Sequence, residues 1–273
     1  MHAAYTGNAA RARFLVRCGA RVDLKDSSGR TAMDWALQGE HEARERGDGE
    51  PAGGRDFEGV ICALAGARNV NLEAPLTQYG TALQLSSRYG YLSAVRALLQ
   101  SGAATTTRGG GVSYPPMYLA CHYGHYDVVA ELLQGGASAT ARGNGSCWEP
   151  LNISIQQSHL DIARLLLEHP SADVNEADIN GDTALHLACR MTNEPAVRLL
   201  LDFHASTEVF RVGGVTPLML AAERGHAGVV RALLEKGASI WVVARDGTTP
   251  LTRAQDAGRR EVAALLQAVG ATY

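Results

Sequence analysis

The stretch Gly214-Val-Thr-Pro-Leu-Met-Leu-Ala-Ala-Glu-Arg-Gly-His-Ala-Gly-Val-Val-Arg-Ala-Leu-Leu-Glu-Lys-Gly-Ala238 reads as two short helices with a stop after each. Thr216-Pro217 opens the first: a hydroxyl N-cap, then proline at the first helical position. Leu218, Leu220, Ala221 and Ala222 give it an apolar face of small residues, and Gly225 ends it where positive φ is favoured. Val229, Val230, Leu233 and Leu234 recur at helical spacing on the second helix, which Gly237 stops. A pair this small cannot bury both faces by itself. It must stack on copies of itself.

The copies are found by spacing. The Thr216 slot is filled by Thr31, Thr81, Pro115, Glu149, Thr183, Thr216 and Thr249, at intervals of 50, 34, 34, 34, 33 and 33 residues. Two residues on stand Met33, Leu83, Met117, Leu151, Leu185, Leu218 and Leu251, with no polar exception. Thr183-Ala-Leu-His186, Gly124-His125, Gly225-His226, Leu98-Leu99-x-x-Gly102-Ala103 and Leu132-Leu133-x-x-Gly136-Ala137 complete the pattern. It resembles the ankyrin repeat over nearly the whole chain. The resemblance implies an all-α solenoid of stacked helix-turn-helix repeats joined by β-hairpin-like fingers. It says much less about what is bound, because a fold does not define a function.

On this reading the chain is one continuous solenoid. Residues 1–28 are a partial first repeat: Ala3-Ala4 and Gly7 match the end of a first helix, and Phe14-Leu15-Val16 with Gly19-Ala20 match a second. Its Thr slot would fall before Met1. Either the first repeat is a shortened cap or the sequence is a piece of a longer protein, and the start is expected to fray. Residues 29–78 form a long repeat carrying about 17 extra residues near 40–57. The charged beginning of that insertion could prolong the first helix, and its Gly/Pro-rich remainder reads as a loop, either tolerated or partner-contacting. Its second helix, Val60–Leu64, looks short. Residues 79–273 hold six repeats, the last closing as a polar C-terminal cap.

Composition narrows the functional classes. Of 273 residues, 46% are hydrophobic, enough for a core, and only 6% are aromatic. A net charge of −3 argues against a general electrostatic grip on nucleic acid or anionic lipid. No apolar run approaches bilayer length. Five cysteines lack any C-x-x-C pairing. Cys121 and Cys189 fall in the small-residue slot of Ala222, as reduced core residues of a cytoplasmic or nuclear protein would.

No catalytic, cofactor or metal site is expected. His41-Glu42 does not continue into H-E-x-x-H, and Gly109-Gly-Gly111 lacks the lysine and helix start of a phosphate loop. His125, His159 and His226 share one slot and His186 occupies another, so they follow the repeat. By resemblance, both slots hydrogen-bond neighbouring repeats together.

What remains is a surface. By resemblance, the residue before the Thr slot and the pair after the two small residues of each first helix face the concave side. There the sequence places Tyr79, Arg88, Tyr89, Tyr114, His122, Tyr123, Trp148, Gln156, Gln157, Arg190 and Met191. Tyr, Trp and Arg anchor interfaces by offering large area with a polar handle. The expected function is non-catalytic recognition of another protein, its peptide or loop lying in that groove. The chain would act as a monomeric scaffold or adaptor, without direct nucleic-acid or membrane contact. Two alternatives stay open. The aromatics could lie flat over neighbouring fingers, and the protein could be a transcriptional co-regulator working through a DNA-binding partner. Asn71 and Asn175 sit in Val-Asn pairs of the kind hydroxylated in ankyrin-like fingers, a common pair.

Overall fold

Helices of eight or nine residues are marginal in water, so these sequences fold only where their apolar faces are buried. A computed structural model describes residues 1–45, 55–67, 70–73, 80–106, 114–140 and 149–271. Among the described residues are sixteen α-helices and no strand beyond an isolated antiparallel bridge between Arg211 and Val215. The chain divides into two compact units, Met1–Gly145 and Ser146–Tyr273.

The N-terminal unit contains α1 (His2–Tyr5), α2 (Ala9–Arg17), α3 (Ala32–Glu45), α4 (Phe57–Ala65), α5 (Ala82–Tyr89), α6 (Leu92–Gln100), α7 (Pro116–Tyr123) and α8 (Tyr126–Gln134). First helices pack in one row, α1 on α3, α3 on α5 and α5 on α7; second helices pack in another, α2 on α4, α4 on α6 and α6 on α8. The C-terminal unit repeats the plan with α9 (Pro150–Gln156), α10 (Leu160–Leu167), α11 (Ala184–Met191), α12 (Glu194–Asp202), α13 (Pro217–Arg224), α14 (Ala227–Glu235), α15 (Pro250–Asp256) and α16 (Arg260–Ala268). Its rows run α9, α11, α13, α15 and α10, α12, α14, α16. One core extends through all four of these repeats, from Leu151 to Ala271. This is the expected all-α repeat architecture.

The caps explain where the helices start. Thr81, Thr183, Thr216 and Thr249 sit at the N-caps of α5, α11, α13 and α15, each side chain accepting from the backbone N–H three residues on. Gly225 closes α13 at φ 82°. Fingers form between the repeats through backbone pairing: Asp178 N–H donates to the Asp182 carbonyl, Arg211 N–H to Val215, and Ala244 N–H to Thr248. Adjacent fingers bond as well, Val212 N–H to the Asn180 carbonyl at 2.7 Å and Arg245 N–H to Gly213 at 2.8 Å.

Three details of the N-terminal unit concern the long second repeat and the start of the chain. Helix α3 runs on to Glu45, so the charged opening of the extra residues is helical. The second helix is not the short Val60–Leu64 expected from sequence. It is the nine-residue α4, because the Asp56 carboxylate caps Gly59 N–H at 2.6 Å and Phe57 is buried. The start of the chain, where fraying is expected, is helical from His2 and packed against α3. Ala3 and Ala4 are buried, the Tyr5 hydroxyl donates to Glu42 at 2.8 Å, and its ring meets Trp35 edge-on at 5.5 Å. Close approach of α1 is allowed by Gly39, where a Cβ would lie 2.2 Å from the Tyr5 carbonyl oxygen.

Candidate functional site

The slot three residues after the N-cap shows how the repeats are tied. In α11 that residue is His186. Its Nδ1 accepts from the Thr183 hydroxyl at 2.9 Å and the Thr183 N–H at 3.2 Å, while Nε2 donates to the Val215 carbonyl of the next finger at 3.2 Å. That pattern requires the neutral Nε2–H tautomer. Burial holds the His186 pKa below its ordinary value. The Val215 carbonyl and Asp182 oppose this shift, and Arg211 and Arg190 add to it. In α5 the same slot holds Gln84, whose Oε1 accepts from Thr81 N–H at 2.6 Å and whose Nε2 donates to the Tyr114 carbonyl at 2.7 Å. His125 ties repeats from the turn slot, its Nε2 donating to the Arg88 carbonyl at 2.9 Å. Arg259 does the same job in the last repeat, bonding the Glu223 carbonyl at 3.0 Å. The His226 side chain makes no capping bond.

In α7 the His186 slot is filled by Tyr118. Three rings stack here: Tyr114, just before the helix, on Tyr118 at 4.4 Å between centroids, and Tyr118 on His122, four residues on along α7, at 6.1 Å. Tyr118 is buried, and burial pushes its hydroxyl above the ordinary tyrosine pKa, with Tyr114 and Tyr123 adding to the shift. At the C-terminal ends of α5 and α7 the arrangement opens to solvent. The Arg88 guanidinium lies 5.3 Å from the Tyr123 ring centroid and 5.8 Å from that of Tyr89. His122 meets Tyr123 edge-on at 4.7 Å, and Tyr123 is 42% exposed. Five of the sequence-predicted residues, Arg88, Tyr89, Tyr114, His122 and Tyr123, therefore form one contiguous aromatic–cationic surface in the N-terminal unit.

The C-terminal unit carries a different surface. Gln156 and Gln157 end α9 and are exposed; Arg190 and Met191 end α11, Met191 exposed as well. Arg190 Nη1 lies 3.2 Å from Asp182 Oδ2, and Arg211 Nε lies 3.3 Å from Asp182 Oδ1. The second contact is an ion pair without hydrogen-bond alignment. These groups line a cavity of about 370 Å³ together with Asn152, Asp178 and Asn180. Tyr79 and Trp148 lie outside the described residues, so the expected anchors are brought together in part.

Sequence reasoning passed over Tyr118, although its spacing of four from Tyr114 and His122 was legible. It also passed over Arg211, which stands five residues before Thr216, where the two fingers before Thr31 and Thr183 carry Asp26 and Asp178. A third omission is a run of solvent-facing apolar residues on the C-terminal fingers: Ile179, Phe210, Val212, Trp241 and Val243, all more than half exposed.

Among the described residues no three His, Cys, Asp or Glu side chains are placed to hold a metal ion. Cys189 is fully buried and its thiol pKa is pushed far up by that burial. Cys62 is shifted up too, by burial first and then by Glu58 and Asp56. No helix among the described residues is long and apolar enough to cross a membrane.

Helix pairs capped by threonine, tied through a shared polar slot and joined by bonded fingers define an all-α repeat protein. A family model described as Ankyrin repeats (3 copies) matches residues 117–211 and 204–273, more than half of the chain. The chain belongs to the ankyrin-repeat family. Ankyrin repeats generally mediate protein–protein interaction and are typically non-catalytic. A search of curated proteins found no match to this chain.

Proposed function

We propose that this protein is a non-catalytic scaffold or adaptor that binds a partner protein through the C-terminal ends of its first helices and the fingers that precede those helices. Tyr123 carries the reading: a large aromatic ring left 42% exposed while Arg88 and His122 hold its orientation. A pre-ordered aromatic–arginine surface loses little side-chain entropy on binding, which is how hot spots gain affinity. Arg190, Met191, Gln156 and Gln157 offer the C-terminal unit's contacts to a peptide or loop, and the exposed finger residues add apolar area.

The test is affinity capture of partners by the full chain, scored by mass spectrometry. The wild type is compared with an Arg88→Ala/Tyr123→Ala double variant and with Arg17→Ala, an exposed change on α2. Retention of a partner by wild type and Arg17→Ala, with a loss of roughly 30-fold or more in the double variant, is the expected result. Equal retention by all three would refute the aromatic surface as the binding site.

A further inference from the structure

The cavity at the fingers of the C-terminal unit has an imbalance of hydrogen-bonding groups. Its two guanidinium groups bring more donors than its two carboxylates have oxygens. Each oxygen of Asp182 faces one guanidinium, Oδ2 that of Arg190 and Oδ1 that of Arg211. Asp178 Oδ1 takes the backbone N–H groups of Asn180 at 2.8 Å and Asp182 at 2.9 Å. Its donors are not spent. A guanidinium carries five N–H donors. Among the described residues Asp182 is the only acceptor that either Arg190 or Arg211 meets. Both side chains are about a third exposed, at 33% and 29%.

We propose that this cavity receives an Asp or Glu side chain of the bound partner, its carboxylate bridging Arg190 and Arg211. The assignment rests on the protein-binding reading and names the chemistry recognised at one of its surfaces. A carboxylate supplies acceptors only, in the planar geometry that matches a guanidinium fork. An amide of the same shape supplies one acceptor and brings two donors into a site that already has too many. The volume of about 370 Å³ lies at the low end for ligand sites, room for a side chain with its backbone. Asp182 acts as the positioning residue. It holds both guanidinium groups at the cavity while leaving most of their donors open. Gly181 sets that position, since a Cβ there would come within 2.9 Å of the Phe210 carbonyl oxygen and 3.0 Å of Arg211 Cα.

The arginine Nε–Hε resonances of the ¹⁵N-labelled full chain report the test directly. The probes are the capped peptides acetyl-Ala-Glu-Ala-amide and acetyl-Ala-Gln-Ala-amide, with sodium acetate at matched concentration and ionic strength. The glutamate peptide is expected to shift the Arg190 and Arg211 signals to saturation, with the glutamine peptide at least ~10-fold weaker. Arg211→Gln and Arg190→Gln, each checked for unchanged helical circular dichroism, are expected to lose the preference. Equal response to both peptides, no saturable shift, or a shift by acetate as large as by the glutamate peptide would overturn the assignment. A captured partner that survives Arg190→Gln/Arg211→Gln unchanged would likewise overturn the acidic contact while leaving the adaptor function standing. Loss of all capture by the wild type, with the glutamate preference intact, would keep the acid-selective site and remove the adaptor function.

Discussion

His186 and Gln84 stand in the same slot and make the same two connections, back to the N-cap threonine and forward to a carbonyl of the next finger. Only the histidine titrates. In the fold its Nδ1 accepts hydrogen bonds, so protonation would place a proton where the Thr183 N–H already points. Burial, the largest cause, holds the folded-state pKa below the ordinary value near 6.5. As pH falls below that ordinary value the unfolded chain takes up the proton first, and stability declines until the folded pKa is passed. Above it, His186 is neutral in both states and contributes no slope. His186→Gln should keep the cap and the forward bond while flattening the acid limb of stability. Urea unfolding of wild type and variant at pH 7.5 and pH 5 checks this. A variant that loses as much stability on acidification as the wild type would show that other groups set the slope.

At the scale of the elements, the finger between α10 and α11 shows how a backbone detail positions a side chain. Gly181 has φ of 77° and packs directly on the Phe210–Arg211 backbone, leaving no space for a side chain. Gly181→Ala forces a left-handed conformation on an L-residue and a contact shorter than real Cβ atoms make. Destabilisation of roughly 1–2 kcal/mol is expected from the backbone conformation alone. The finger should move as well, so the variant should lose the glutamate preference of the Arg190–Arg211 cavity. Differential denaturation and the arginine resonances measure the two effects separately. The helices beside this finger draw their stability from packing: Leu185, Leu200 and Leu218 are essentially fully buried. Truncating any one of them to alanine is expected to cost roughly 2–5 kcal/mol in urea melts, far more than the loss of a surface ion pair.

At the scale of the whole molecule, each of the two units is a series of nearest-neighbour contacts. Within residues 146–273 α15 packs on α13 and α16 on α14, and neither reaches the earlier helices of its row in strength. Stability of such a unit is close to a sum of repeat and interface terms. A chain ending at residue 246 should therefore keep its remaining helices. It should unfold at lower urea with a smaller dependence on urea, because less surface is exposed on unfolding. Circular dichroism at 222 nm during a urea titration measures both. Complete loss of helix on removing residues 247–273 would contradict nearest-neighbour stability.

The repeat period, the capped helix starts, the glycine stops and the two rows of apolar faces were legible in the sequence, because capping, helical spacing and positive φ are local properties of a few consecutive residues. The shared polar slot was legible too, through His186. The sequence also marked Arg88, Tyr89, Tyr114, His122 and Tyr123 as surface residues. That Arg88 lies over Tyr123, that Tyr118 joins Tyr114 and His122 in a stack, and that Asp182 stands between Arg190 and Arg211 depend on contacts within and between repeats. The latter cross some thirty residues of chain. Tertiary structure alone decides these, because how closely one finger lies on the next is set by packing across the repeat boundary, as at Gly181, and by no property of either segment by itself.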